Sequence, residues 1–201
     1  MKAAIDTVFF DWGGVIADDP GDGFLKLLLK DLGASDMQVE EIYEKYMFSF
    51  MKGEISENQY WEVLRQKYGL TVHDTISHEF KKWDGLVKND SILALVEKIK
   101  HQGIKVAVFS NVIEPTYNVL EQAGDYAGFD AVIASCKVGT AKPEKQIYEL
   151  ALQKLNTTAE QSLFIDDKQK NLDPADETGF HTILAQNSEQ IIKDVERYLT
   201  S

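Results

Sequence analysis

Short apolar runs alternate with longer amphipathic segments along most of the chain, the pattern of a parallel sheet covered by helices. The runs at 7–10, 105–109, 131–134, 162–165 and 181–184 predict five strands. Between and after them, 91–102, 114–123, 143–155, 171–178 and 188–199 predict helices. Leu93, Val96, Ile99 and Lys100 repeat at the helical period, as do Ile147, Leu150, Ala151 and Leu155. Pro143 suits the first position of its helix, where a missing N–H costs nothing. The fold expected is α/β, a doubly wound (Rossmann-like) parallel sheet.

The alternation breaks once. Some 90 residues separate the first strand from the second, far more than a crossover helix requires. Within that gap Phe24, Leu25, Leu28, Leu29 and Leu32 form one helical stripe, and Val39, Ile42, Tyr43, Tyr46, Met47 and Phe50 form another. Tyr60, Val63, Leu64 and Tyr68 suggest a third. Ser35 with Gln38, and Ser56 with Gln59, have capping-box spacing, so helices should start there. A small all-helical insertion therefore follows the first strand. Its expected extent is 18–85, leaving 1–17 and 86–201 for the α/β core.

With 201 residues, 44% of them apolar, the chain can bury a core without covalent staples. The balance of 21 Lys and Arg against 33 Asp and Glu gives a net charge of -12, which lacks the basic footprint that nucleic acid or an anionic membrane requires. A small anionic substrate stays compatible, because a few cations or a metal ion reverse the field inside one pocket. Cys136 is the single cysteine, so no internal disulfide forms, and it reads as a small apolar filler. No run of 18 uncharged apolar residues occurs, and Asp6 interrupts the start of the chain. These features suggest a cytoplasmic location, as monomer or homodimer.

Ligands of open α/β sheets collect at the carboxyl ends of the strands. Three of the five expected strands end in related polar residues: Asp11 before Trp12-Gly13-Gly14, Ser110-Asn111, and Asp166-Asp167. Lys142 stands in a loop, Gly139 to Pro143, that opens a helix. Singly, each has a plain structural explanation as turn, cap or solvated charge. Jointly they fall on one edge of one sheet. His73, His78, His101 and His181 show no ligand spacing and read as structural.

Taken together, Phe9-Phe10-Asp11-Trp12-Gly13-Gly14-Val15-Ile16, Val108-Phe109-Ser110-Asn111, Lys142-Pro143 with Ile147-Tyr148, and Phe164-Ile165-Asp166-Asp167 followed by Asn171 resemble the four motifs of the haloacid dehalogenase-like hydrolases, in the subclass with a helical cap after the first strand. The segment from Lys52 to Ser56 is similar to a stretch of that group's sugar-phosphate phosphatases. The resemblance implies a magnesium-dependent phosphomonoester hydrolase, acting on a small phosphorylated metabolite such as a sugar phosphate. It implies Asp11 as nucleophile, and magnesium held by Asp11, the Gly13 carbonyl, Asp167 and Asp166. It implies Ser110, the Asn111 amide and Lys142 around the phosphoryl group, with Trp12 beside the pocket.

One position departs from the pattern. These phosphatases usually carry a second Asp two residues after the nucleophile, to move the proton of the leaving alcohol, and here that residue is Gly13. The loss leaves three outcomes open: slow turnover, a substitute such as Asp18 or water, or no catalysis. Two other readings follow. A metal-independent haloacid dehalogenase also lacks the second Asp, though the Asp166-Asp167 pair argues against it, and an idle binding protein would keep the fold alone.

Overall fold

Val8, Phe9 and Phe10 are all fully buried although successive residues of a strand face opposite ways, so both faces of this strand are covered. In a computed structural model of the chain, which describes residues 4–18, 21–71, 75, 76, 78 and 87–200 and only the backbone of 21–24, five strands form one parallel sheet. They are β1 (Thr7–Phe10), β2 (Lys105–Ser110), β3 (Ala131–Ala134), β4 (Ser162–Asp166) and β5 (His181–Leu184), in the order β3-β2-β1-β4-β5. Phe10 stands level with Val108 on one side and Ile165 on the other. Strand order reverses at β1, which makes its carboxyl end the crevice of the sheet.

Five longer helices flank the strands: α5 (Asp90–His101), α6 (Glu114–Gln122), α8 (Lys145–Leu155), α9 (Gln169–Thr178) and α10 (Ser188–Leu199). A short α7 (Ser135–Val138) precedes α8. The two faces of β1 feed separate clusters. Phe9, Phe109 and Phe164 pack with Ile147, Tyr148 and Ala151 of α8 and Leu172 and Ala175 of α9. Val8, Phe10, Val108 and Ile165 pack with Ile92, Leu95, Val96 and Ile99 of α5 and Ile191 and Val195 of α10. On α5 the buried stripe is thus centred one residue before the expected one, and Leu93 lies at its edge. Pro143 is not in the first turn of α8: the helix begins at Lys145, and the Lys142–Pro143 peptide is cis.

Between β1 and α5 the described residues form four α-helices: α1 (Gly21–Asp31), α2 (Asp36–Ile42), α3 (Phe48–Met51) and α4 (Glu57–Tyr68). Both expected capping boxes form, Ser35 with Gln38 and Ser56 with Gln59. A wide π turn, Tyr43–Met47, joins α2 to α3. Val39, Ile42, Met47 and Phe50 of the expected stripe are buried, while Tyr43 and Tyr46 are only partly so. The side chain of Phe24 lies outside the described residues. Where the insertion meets the core, Asp18 N–H donates to Val87 O at 3.1 Å and Asn89 N–H to Ile16 O at 2.8 Å, so entry and exit run side by side. No helix among the described residues is long and apolar enough to cross a membrane.

Candidate active site

Asp11 follows β1 directly, and its N–H continues the ladder by donating to Ile165 O at 2.9 Å. That places it at the carboxyl edge beside Asp166, the last residue of β4. One Asp11 oxygen, Oδ1, accepts from the Trp12 N–H at 2.7 Å; the other, Oδ2, lies 3.2 Å from Lys142 Nζ. Lys142 is 1% exposed. Its ammonium donates to Phe109 O at 2.8 Å and to Asp166 Oδ2 at 2.6 Å, and pairs with Asp11 by charge. The loop bearing Lys142 is fixed by a reciprocal pair with Asn111: Lys142 N–H donates to Asn111 Oδ1 at 2.8 Å, and Asn111 Nδ2 donates to Lys142 O at 2.7 Å.

Asp166 is fully buried, and both its oxygens are occupied. Oδ1 accepts from Lys168 N–H at 2.8 Å, and Asn171 Nδ2 lies 3.0 Å from each oxygen. Burial works against its charge, but Lys142, the Lys168 amide and Asn171 outweigh it and hold the carboxyl below the ordinary range. Asp11 goes the other way. Burial is the largest influence and, with Asp166 adding repulsion against the pull of Lys142, pushes it up to about 8. Two carboxyls at one site share one lysine, and the one with fewer donors gives way.

Asp11, Asp166 and Asp167 each offer an oxygen, all within 4.8 Å of one another. The set consists only of hard oxygen donors, which suits a divalent cation such as magnesium. The chain also makes room for it. Gly14 has φ +77, and a Cβ there would stand 2.7 Å from the Asp167 carboxyl carbon. Gly13 is not among the glycines with positive φ.

A cavity of about 480 Å³ opens over these groups. From the core it is lined by Asp11, Gly13, Ser110, Asn111, Lys142, Pro143, Lys168, Lys170 and Asn171. From the insertion come Tyr43, Glu44, Met47, Phe48 and Met51. The structure thus gathers Asp11, Gly13, Ser110, Asn111 and Lys142 around one space, with Asp166 and Asp167 against them. Trp12 is different: the residue is 5% exposed, its ring packs edge-on against Tyr126 at 5.2 Å and does not line the cavity, while its N–H meets Asp11. Asp18, expected as a stand-in acid, is exposed and is not part of the cavity lining. Lys168, Lys170 and the five insertion residues had no sequence signal that separated them from ordinary surface and core positions.

A family model for haloacid dehalogenase-like hydrolases matches residues 5–177, most of the chain. The chain belongs to that family. The haloacid dehalogenase-like hydrolases similar to it include phosphatases. It is 30% identical over 181 residues to Sesquiterpene phosphatase astK of Aspergillus oryzae, covering 89% of this chain and 87% of that one. It is 26% identical over 199 residues to a D-ribitol-5-phosphate phosphatase of Bacteroides thetaiotaomicron, covering 91% and 93%. Its fold matches a haloacid dehalogenase-like enzyme of Bacteroides thetaiotaomicron crystallised with magnesium and inorganic phosphate, with a TM-score of 0.73 at 23% identity over 91% and 95% of the two chains.

Proposed function

We propose that this hydrolase cleaves a phosphomonoester of a small metabolite with magnesium bound, through a phosphorylated Asp11. The observation that carries the reading is the pair of fixed contacts on Asp11. With Oδ1 held by the Trp12 amide and Oδ2 by Lys142, the carboxylate presents a set orientation to the cavity. Attack of an Asp11 oxygen on phosphorus forms the P–O bond to the enzyme as the ester P–O bond breaks, and the leaving oxygen must gain a proton. Water then attacks the aspartyl-phosphate, releasing inorganic phosphate and restoring Asp11.

Asp11, the Gly13 carbonyl and Asp167 would hold the cation, with Asp166 behind them, since its oxygens are already committed to Lys142, Lys168 and Asn171. The bound ion would neutralise charge on the phosphoryl oxygens and lower the repulsion between the dianion and three carboxylates. Ser110 and the Asn111 amide line the same space and would donate to phosphoryl oxygens. Lys142 serves first as the clamp that ties Asp11 to Asp166, and its charge sits where the transition state spreads its own. The segment 18–85 would act as the cap, closing over 1–17 and 86–201. A cytoplasmic location agrees with the lone, partly buried Cys136.

Phosphate release from a panel of metabolite phosphates, in magnesium and in EDTA, tests the reading. Metal-dependent release is expected. Halide release from a 2-haloacid in EDTA would replace it with dehalogenation, and silence on every substrate would leave a binding protein.

A further inference from the structure

The cavity has two chemically different halves. Its floor is the polar edge of the sheet, and its roof is the insertion. At the roof, Phe48 and Met51 present phenyl and thioether surface, with the buried Met47 behind them, the Tyr43 ring beside them and Glu44 as the lone carboxylate. Phe48 is 40% exposed, one of few large apolar side chains left uncovered among the described residues. Its ring is steadied by Lys52 Nζ, 5.0 Å from the centroid. The π turn Tyr43–Met47 gives this stretch one wide turn, and such turns re-aim the side chains on either side of them.

We propose that the organic half of the substrate is an apolar chain or ring, an alkyl, prenyl or aryl group, and that Phe48 and Met51, backed by Met47, receive it. The inference rests on the phosphatase reading for the phosphate half alone. A polyol lying on this roof would turn several hydroxyls toward sulfur and carbon, and each hydroxyl stripped of water without a partner is unfavourable. An apolar group loses nothing there and covers the exposed Phe48 ring. Unbranched methionines adapt to chains of differing shape, which suits a class of substrates more than one rigid sugar.

The test is a homologous series from ethyl to octyl phosphate, with a five-carbon polyol phosphate beside pentyl phosphate. The matching alkylphosphonates, whose P–C bond does not hydrolyse, are titrated in magnesium. Both kcat/KM and phosphonate affinity should rise up to about fourfold per methylene until the roof is covered. Pentyl phosphate should exceed the polyol phosphate by about tenfold or more, since unpaired hydroxyls are costly. In Phe48→Ser, a change at a half-exposed position, the octyl-to-ethyl ratio should fall about tenfold in both measurements. A flat series with the polyol phosphate preferred overturns this inference and leaves the phosphatase reading standing. Chain-length-dependent phosphonate binding without hydrolysis of any ester does the reverse.

Discussion

At Asp11 the charge that would make the nucleophile is also a burden on the fold. Its carboxyl is raised from an ordinary value of 3.8 to about 8, chiefly by burial. The native state therefore binds a proton that the unfolded chain releases between those values, and metal-free stability falls as pH rises through that window. Asp11→Asn should remove this pH dependence: in EDTA its melting temperature should exceed that of the wild type, by a margin that widens from pH 5 to pH 8. The same variant should lose turnover by roughly 10⁴-fold or more, the scale of removing a nucleophile. Gly13 presents the opposite case. Its backbone avoids the left-handed region that Gly14 occupies, so Gly13→Asp should fold. It should flatten the dependence of phosphoryl-enzyme formation on leaving-group pKa, measured by rapid quench, because a carboxyl there, in its protonated form, would give the leaving oxygen its proton. A third residue is quiet: burial pushes the Cys136 thiol from 9.0 up to about 12, so it carries about 10³-fold less thiolate at neutral pH than an ordinary cysteine. Iodoacetamide labelling of the native protein, followed by mass spectrometry, should be slow to match.

Elements differ in how plainly the sequence announced them. The three central strands were the most legible, because burial on both faces leaves a nearly uninterrupted apolar run, and the polar residue that ends each of these three marks the sheet edge. Asp11, Ser110 and Asp166 were found in that way. The capping boxes were equally plain, and Ser56→Ala should cost about 1 kcal/mol in urea unfolding, the usual value of such a cap. The π turn was not legible, since Val39, Ile42, Met47 and Phe50 fit an unbroken α-helix as well. Nor could the stripe tell which of its members face a neighbouring helix and which a cavity; Met47 does both. Pro143 misled in another manner, since a proline ahead of a helical stripe suits the first turn, while the chain uses it two residues earlier. Asp18, though near Asp11 in sequence, is exposed and does not line the cavity, so chain proximity alone did not place an acid there.

At the scale of the whole molecule, a ligand for the proposed metal site should steady the sheet that carries Asp11, Asp166 and Asp167. Magnesium that binds only the folded state adds RT ln(1 + [L]/Kd), about 2.7 kcal/mol when free metal is a hundred times Kd. A thermal melt should therefore shift upward on replacing EDTA with millimolar magnesium, and Asp167→Ala should largely lose that shift. Coincident wild-type curves would refute the metal site. Away from the neck, a second set of contacts joins the insertion to the core. Ser135 Oγ donates to Met51 O at 2.7 Å and accepts from the Val112 N–H at 2.9 Å, and Lys52 pairs at 3.3 Å with Glu144, whose carboxylate holds the Thr140 hydroxyl and the Ala141 amide.

The side-by-side entry and exit of the insertion, with Asp18 bonded to Val87 and Asn89 to Ile16, also bears on how such a chain changes over generations. Because the two ends leave the sheet together, residues can be gained, lost or exchanged between them without altering the register of any strand. Loop closure has been settled at the neck, and a longer or shorter excursion adds only a slowly growing entropic term. Mutations that redraw the roof of the cavity are thereby screened from the edge that carries the acids. On the proposed phosphatase reading, preference for one alcohol over another is then free to drift while the acids at the sheet edge stay in place.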